Sequence, residues 1–246
     1  MRIPRLYLQG DYVAGEVMTL TKDQAHYVLT VLRLKNQHIV DVFNGQGLQA
    51  RGTLVVTSRR TADLCIESLS EPQTESPLNT VLVQSISRGD RMDTSIQKAV
   101  ELGVTQIQPI FSERCEVKLN DDKLEKRRSQ WQSIAISACE QSGRSQVPEI
   151  LPIQPYPTWL QSIKESNPFG LVMDPYAKYN LQTLTQPALD KPIYLLVGPE
   201  GGLTEQEVEQ ATSIGLTAVQ LGPRVLRTET AGPAILAGVQ IVWGDL

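Results

Sequence analysis

VGPEGGLTEQEVEQA, Val197 to Ala211, puts three glycines, a proline and a glutamate between an apolar run and an acidic helical pattern. A glycine-rich turn from strand to helix usually suggests phosphate, because bare backbone N–H groups and the positive end of the helix suit an anion. Here Glu200, Glu205 and Glu207 crowd the helix start and the loop has no lysine. A phosphate would meet like charge where a phosphate-binding loop supplies Lys. A neutral or cationic ligand fits better. Thr204 and Glu207 form a T-x-x-E capping box, which starts a helix beside the loop.

The familiar nucleotide fingerprints do not apply. G-x-G-x-x-G belongs to the first β-α turn of its domain, whereas Gly198 comes late, with room for one further strand and helix. This argues against NAD and against an ordinary Rossmann methyltransferase. The chain has no GxxxxGK[ST] either. Alone, GPEGG reads as a tight strand-to-helix turn. A second element changes the balance: LGPRVLRTETAG, Leu221 to Gly232, also follows an apolar strand, opens with Gly-Pro and leads into a helix. Two such loops at adjacent strand ends can form two walls of one small-molecule pocket. The second carries Arg224, Arg227, Thr228 and Glu229, and a Thr228 N-cap with Glu229 in the first turn is the plain structural explanation for two of them.

Outward from these loops, strand and helix periods alternate over residues 80–246. TVLVQSIS, VTQIQPI, FGLVMD, IYLLV and LTAVQL read as strands. DRMDTSIQKAVELG, with Met92, Ile96, Ala99 and Val100 on one face, and KLEKRRSQWQSIAISACEQSG read as helices. The pattern predicts an α/β domain with a mostly parallel sheet and a ligand site outside the carboxyl ends of its strands. Residues 1–70 show short alternating runs around a turn at Asn44–Gly47, a pattern for a small β-barrel, interrupted by one helical stretch over Asp23–Leu34. The polar, proline-containing residues 71–79 read as a linker.

The 246 residues, 41% apolar and 20% charged, can bury a sizeable core. A net charge of −4 argues against a protein that coats nucleic acid indiscriminately. The first 60 residues nevertheless carry eight Lys or Arg against four acids, which suits either a nucleic-acid handle or a solvated surface. Three scattered cysteines and two histidines supply no familiar zinc spacing, so no metal is expected. With no leader pattern and no apolar run of spanning length, the expectation is a cytoplasmic protein without a membrane partner.

LLVGPEGGLTEQEVEQA together with LGPRVLRTETA resembles the signature of the SPOUT (α/β-knot) methyltransferases. In detail it resembles the RsmE family, bacterial small-subunit ribosomal RNA methyltransferases that modify N3 of a uridine. RIPRLYL, HYVLTVLRL, SRGDRMDTSIQKAVELGV, FSERCEVKL, WQSIAISACEQSGR and the terminal WGDL look like family segments in the family's order. The resemblance implies a PUA-like N-terminal barrel that helps bind RNA and a C-terminal trefoil-knot domain that binds S-adenosylmethionine. It also implies a homodimer with its active site near the subunit interface, and 16S rRNA, in the small ribosomal subunit, as partner. A cofactor with a sulfonium and an amino group and no phosphate suits an acid-rich loop. By motif position, Leu196, Gly198, Glu200 and Gly202 would line one side of the cofactor, and Leu221, Gly222, Leu226, Thr228 and Ala231 the other.

Uridine N3 carries a proton and lies on the Watson–Crick edge, so the base must be unpaired and the proton removed. Arg227 is the candidate to stabilise charge on the uracil carbonyls, and Glu229 or Glu200 the candidate proton acceptor if its pKa is raised. Arg2, Arg5, Arg33, Arg88, Arg91, Arg114 and Arg144 are the candidate RNA contacts, while Glu125–Arg128 reads as a solvated face. Gly232-Pro233 is poor helix material and predicts a late start or a kink in the last helix. Two alternatives stay open: a SPOUT enzyme acting on another RNA, and a non-catalytic RNA-binding assembly factor.

Overall fold

The computed structural model describes residues 3–188 and 191–246. The chain divides into two compact units, one of Met1–Glu75 with Cys139–Val147 and one of Ser76–Ala138 with Pro148–Leu246.

The N-terminal unit is built on β1 (Arg5–Tyr7), β2 (Val17–Thr19), α1 (Lys22–His26), β3 (Ile39–Phe43), β4 (Gln49–Val56) and β5 (Ala62–Ser70). Its five-stranded sheet runs β1-β3-β4-β5-β2, antiparallel except for β1 beside β3. The β3–β4 turn forms because Asn44 Oδ1 accepts from the N–H groups of Gln46 and Leu48 at 2.8 and 3.2 Å, with Gly45 and Gly47 at positive φ. Alternate residues, among them Val40, Val42, Leu54 and Leu64, point into the core with Val28. The helix expected over Asp23–Leu34 is shorter. A Thr21/Gln24 capping box starts α1, a π-helical turn occupies Tyr27–Val31, and Arg33 at φ 54° leaves the helix.

Two arginines expected on RNA turn inward here. Arg5 lies over the Phe43 ring at 4.1 Å and donates to Gln49 Oε1 and the Cys139 carbonyl. Burial lowers its pKa against the pull of nearby acids. Arg144 is buried on Glu75 at 2.7 Å. Packing within the unit accounts for both, so neither is free to grip a phosphate. Arg33 is exposed, and Arg2 lies outside the described residues.

The C-terminal unit contains β6 (Thr80–Ser85), α2 (Arg91–Glu101), β7 (Gln106–Phe111), most of α3 (Asp121–Ser142), β8 (Glu149–Ile150), β9 (Gln154–Pro155), α4 (Tyr156–Lys164), β10 (Phe169–Met173), β11 (Tyr179–Asn180), β12 (Ile193–Val197), α5 (Glu205–Ser213), β13 (Leu216–Gln220) and α6 (Thr228–Trp243). The eight-stranded sheet runs β11-β13-β10-β12-β6-β7-β8, with β9 also on β7, and every pairing is parallel. β6 is buried along its whole length, as a strand covered on both faces must be. Met92, Ile96, Ala99 and Val100 of α2 face inward, and Gly103 at φ 81° ends that helical segment.

After β13 the chain turns back and α6 packs against β12 and α2. Contrary to the expectation of a late start, α6 begins at Thr228 and keeps Pro233 inside it. The N–H groups of Thr230 and Ala231 already donate to the Arg227 carbonyl. Gly232 earns its place by proximity: a Cβ there would stand 3.2 Å from Gln84 Oε1 and 3.5 Å from a Leu82 methyl on β6. Close packing on the strand offsets the poor local propensity.

Candidate active site

The two Gly-Pro loops meet at the carboxyl ends of β10, β12 and β13, where they bound a cavity of about 350 Å³. Gly198, Glu200 and Gly202 line one side, and Leu221, Gly222, Leu226, Thr228 and Ala231 the other. Leu196, expected among them, points the other way. It is fully buried in a core cluster with Val81, Val83 and Val172, and the alternation of β12 gives the cavity Val197 instead. A third wall, Met173, Asp174 and Pro175 at the end of β10, was not singled out from the sequence. The rule that ligands sit beyond parallel strand ends is the signal that marks it.

Hydrogen bonds fix the loops. Thr228 is the first residue of α6, and Arg227 holds the N-cap position expected of it. The buried Thr228 hydroxyl donates to the Gly198 carbonyl at 2.8 Å and accepts from Gln84 Nε2 at 3.0 Å, joining both loops to β6. Gly202 N–H closes a turn on the Pro199 carbonyl at 2.9 Å. Arg114 donates to the carbonyls of Gly201 and Leu203, and so buttresses the first loop from outside. Glu207 completes the Thr204 capping box and also accepts the Glu113 N–H at 2.8 Å, which ties α5 to the segment after β7. Thr228→Val should therefore weaken ligand binding about tenfold by calorimetry, since two buried partners lose a bond worth about 0.5–1.5 kcal/mol each.

Charge is concentrated at one end of the cavity. Glu200 Oε1 accepts from the Arg88 N–H at 2.9 Å and from Arg91 Nη1 at 2.6 Å. Burial pushes the Glu200 carboxyl up, but the Arg88 and Glu200 amides and the Arg91 guanidinium outweigh it and hold the group below the usual range. The raised pKa that would make Glu200 a proton acceptor is absent, and its place is that of an anchor for Arg91. Glu229 lies 3.9 Å from Arg91 Nε and 4.0 Å from Arg227 Nη1. Arg227 is 81% exposed at the cavity rim. Arg88 pairs with Glu116 at the surface. Among the described residues no group of three His, Cys, Asp or Glu side chains is arranged to hold a metal ion.

Apolar walls from Met173, Val197, Leu221, Val225 and Leu226, with carboxylates of Asp174, Glu200 and Glu229 and guanidiniums of Arg91, Arg224 and Arg227 in the same lining, suit a small molecule with an apolar body and charged groups. An RNA methyltransferase domain matches residues 74–240, and an RNA methyltransferase PUA domain matches residues 20–67. The ribosomal RNA small subunit methyltransferase E of Neisseria gonorrhoeae, solved bound to S-adenosyl methionine, is 42% identical, with a TM-score of 0.91 and all of both chains covered. A Legionella pneumophila protein solved in complex with the cofactor SAM is 35% identical with a TM-score of 0.93, again over all of both chains. The ribosomal RNA small subunit methyltransferase E of Buchnera aphidicola (subsp. Schizaphis graminum) is 36% identical over 100% of this chain and 98% of its own. The chain belongs to the ribosomal RNA small subunit methyltransferase E family.

Proposed function

We propose that this chain binds S-adenosylmethionine in the cavity between the Gly198 and Leu221 loops and methylates N3 of a uridine in the 16S rRNA of the small ribosomal subunit. The observation that carries the reading is the cavity itself: two Gly-Pro loops at parallel strand ends, with apolar walls and charged side chains of both signs, in a chain of this family. When bound there, S-adenosylmethionine supplies a methyl group on a positively charged sulfur. The protein's part is to bind and orient it, exclude water and manage the proton of N3. The glycine backbones of both loops and the side chains of Val197, Leu221 and Leu226 are the binding surface. Arg227 and Glu229 face the acceptor base.

The unit of Met1–Glu75 with Cys139–Val147, rather than residues 1–70 alone, serves as an RNA-binding module, and the unit of Ser76–Ala138 with Pro148–Leu246 as the methyltransferase, with Arg33, Arg88, Arg91 and Arg114 as contacts to the RNA. The enzyme acts in the cytoplasm as a homodimer. Support for a second copy beside the cavity comes from Val225, which lines it while 75% exposed, and from the exposed apolar Tyr176 and Ile241.

The test is calorimetric titration of the full chain with S-adenosylmethionine, ATP and NAD, followed by transfer of labelled methyl to unmodified small subunits. Selective binding of S-adenosylmethionine and label recovered as 3-methyluridine are expected. Binding of RNA without the cofactor by a folded protein would replace the enzyme with an RNA-binding factor.

A further inference from the structure

The cavity between the two Gly-Pro loops is lined by the carboxylates of Asp174, Glu200 and Glu229 and the guanidiniums of Arg91, Arg224 and Arg227. Most of these groups already face one another. Glu200 holds Arg91 at 2.6 Å, and Glu229 stands 3.9 Å from Arg91 and 4.0 Å from Arg227. Asp174 and Arg224 are the remainder. Among the described residues neither has an ion-pair partner, and no hydrogen bond holds the Arg224 side chain.

Both reach the cavity from backbone that is fixed. Asp174 follows β10, its N–H donates to the Val219 carbonyl at 3.0 Å, and its Oδ1 accepts from the Tyr176 N–H at 2.9 Å. The other carboxylate oxygen is left without a protein partner. Arg224 follows Gly222 at φ 81° and Pro223, whose ring fixes its own φ, and this pair turns the chain out of β13. Since β10 and β13 are paired in parallel, the two side chains start from neighbouring strand ends. An arginine on an outer surface needs no partner, but one that lines a ligand cavity together with an unpaired carboxylate offers a ligand both signs of charge.

We propose that Asp174 and Arg224 recognise the amino-acid head of the cofactor, the Asp174 carboxylate taking its α-ammonium and the Arg224 guanidinium its α-carboxylate, and that they select S-adenosylmethionine from adenosine compounds without such a head. The inference rests on the S-adenosylmethionine reading above. Apolar walls can accept the base and ribose that these compounds share, and for that reason cannot tell them apart. The zwitterionic head is the part that differs. A guanidinium meets a carboxylate through two parallel N–H bonds, and charge-assisted bonds inside a cavity are stronger than in open solvent. A site built to bond a polar group rejects the analogue lacking it far better than an apolar pocket distinguishes shapes.

The test is calorimetric titration of the full chain at neutral pH with S-adenosylmethionine, its decarboxylated form, and the 2-oxo analogue in which a carbonyl replaces the ammonium. Wild type should bind S-adenosylmethionine about 30-fold more tightly than the decarboxylated form and about tenfold more tightly than the 2-oxo analogue. Arg224→Ala should bind the decarboxylated form within about twofold of wild type and S-adenosylmethionine no better than that. Arg224→Lys should recover part of the preference, since it restores the charge without the fork. Asp174→Asn keeps an oxygen for the Tyr176 N–H, and should lose only the preference over the 2-oxo analogue. General damage to the loops would weaken all three ligands alike. Such a uniform loss, or a preference kept in Arg224→Ala or Asp174→Asn, overturns the proposal while the cofactor reading stands. Weaker RNA binding by Arg224→Ala with its carboxylate preference intact overturns it too, and gives Arg224 to the RNA. If wild type binds none of the three compounds, the cofactor reading fails and the proposal with it.

Discussion

Gly198→Ala is expected to weaken S-adenosylmethionine binding about 100-fold, while Gly202→Ala weakens it only several-fold. A Cβ on Gly198 would stand 2.7 Å from the Leu203 nitrogen and 2.9 Å from the Gly202 carbonyl carbon. Both are backbone atoms, so no rotamer change relieves the contact. The loop cannot shift cheaply either, because the Gly198 carbonyl is held by Thr228, the carbonyls of Gly201 and Leu203 by Arg114, and the turn by Gly202 on Pro199. Overpacking of this kind costs about 1–3 kcal/mol, and the upper end is near a hundredfold in affinity. Gly202 differs in kind. It sits at φ 70° with no atom within 4 Å of a built Cβ, so alanine meets only the left-handed backbone cost, about 1–2 kcal/mol, which the folded loop partly absorbs. Calorimetry on the two variants, with thermal melts to show both folded, checks the contrast. Equal losses would mean that the loop opens to bind and that the resting geometry does not govern affinity.

The sequence was most legible where period and cap agree. Thr204 and Glu207 announce α5, and the structure has both halves of the capping box. Met92, Ile96, Ala99 and Val100 announce α2, and all four are buried. Legibility fails where one side chain has two possible directions or one residue two possible masters. Leu196 and Val197 are both apolar, and only the register of β12 between β6 and β10 decides which faces the cavity. α4 begins at Tyr156-Pro157 after Pro155, and its Tyr156, Trp159 and Ile163 fill the core. Pro233 argues for a break in the last helix, but α6 runs on through it to Trp243, with Gly232 close on Leu82 and Gln84. The arginines divide for the same reason. Charge alone put Arg5 and Arg144 on the RNA list, whereas long-range packing turns them inside, and no local pattern distinguishes them from Arg91, whose partners Glu200 and Glu229 lie more than 100 residues away.

The segment read as a linker supplies the second large effect. Glu75→Ala should destabilise the N-terminal unit by about 3 kcal/mol, seen as a lower midpoint in urea unfolding followed by Trp-independent circular dichroism. The Glu75 carboxylate accepts four hydrogen bonds: Arg144 Nε at 2.9 Å, Arg144 Nη2 at 2.7 Å, and the N–H groups of Ser145 and Gln146 at 3.0 and 3.1 Å. Its side chain is 20% exposed and that of Arg144 only 7%, so solvent screens the pair weakly. These bonds hold residues 144–146, which follow the end of α3, within the same unit as β1 to β5. Alanine removes the carboxylate from beside a buried guanidinium and leaves two amides short of an acceptor. Removing one partner costs more than the pair contributes over an apolar replacement. The double variant Glu75→Ala with Arg144→Met should therefore recover part of the loss, although the two amides stay unmet. If Glu75→Ala unfolds with the wild-type midpoint, the four bonds contribute nothing net, and residues 71–79 are the plain linker that their composition suggested.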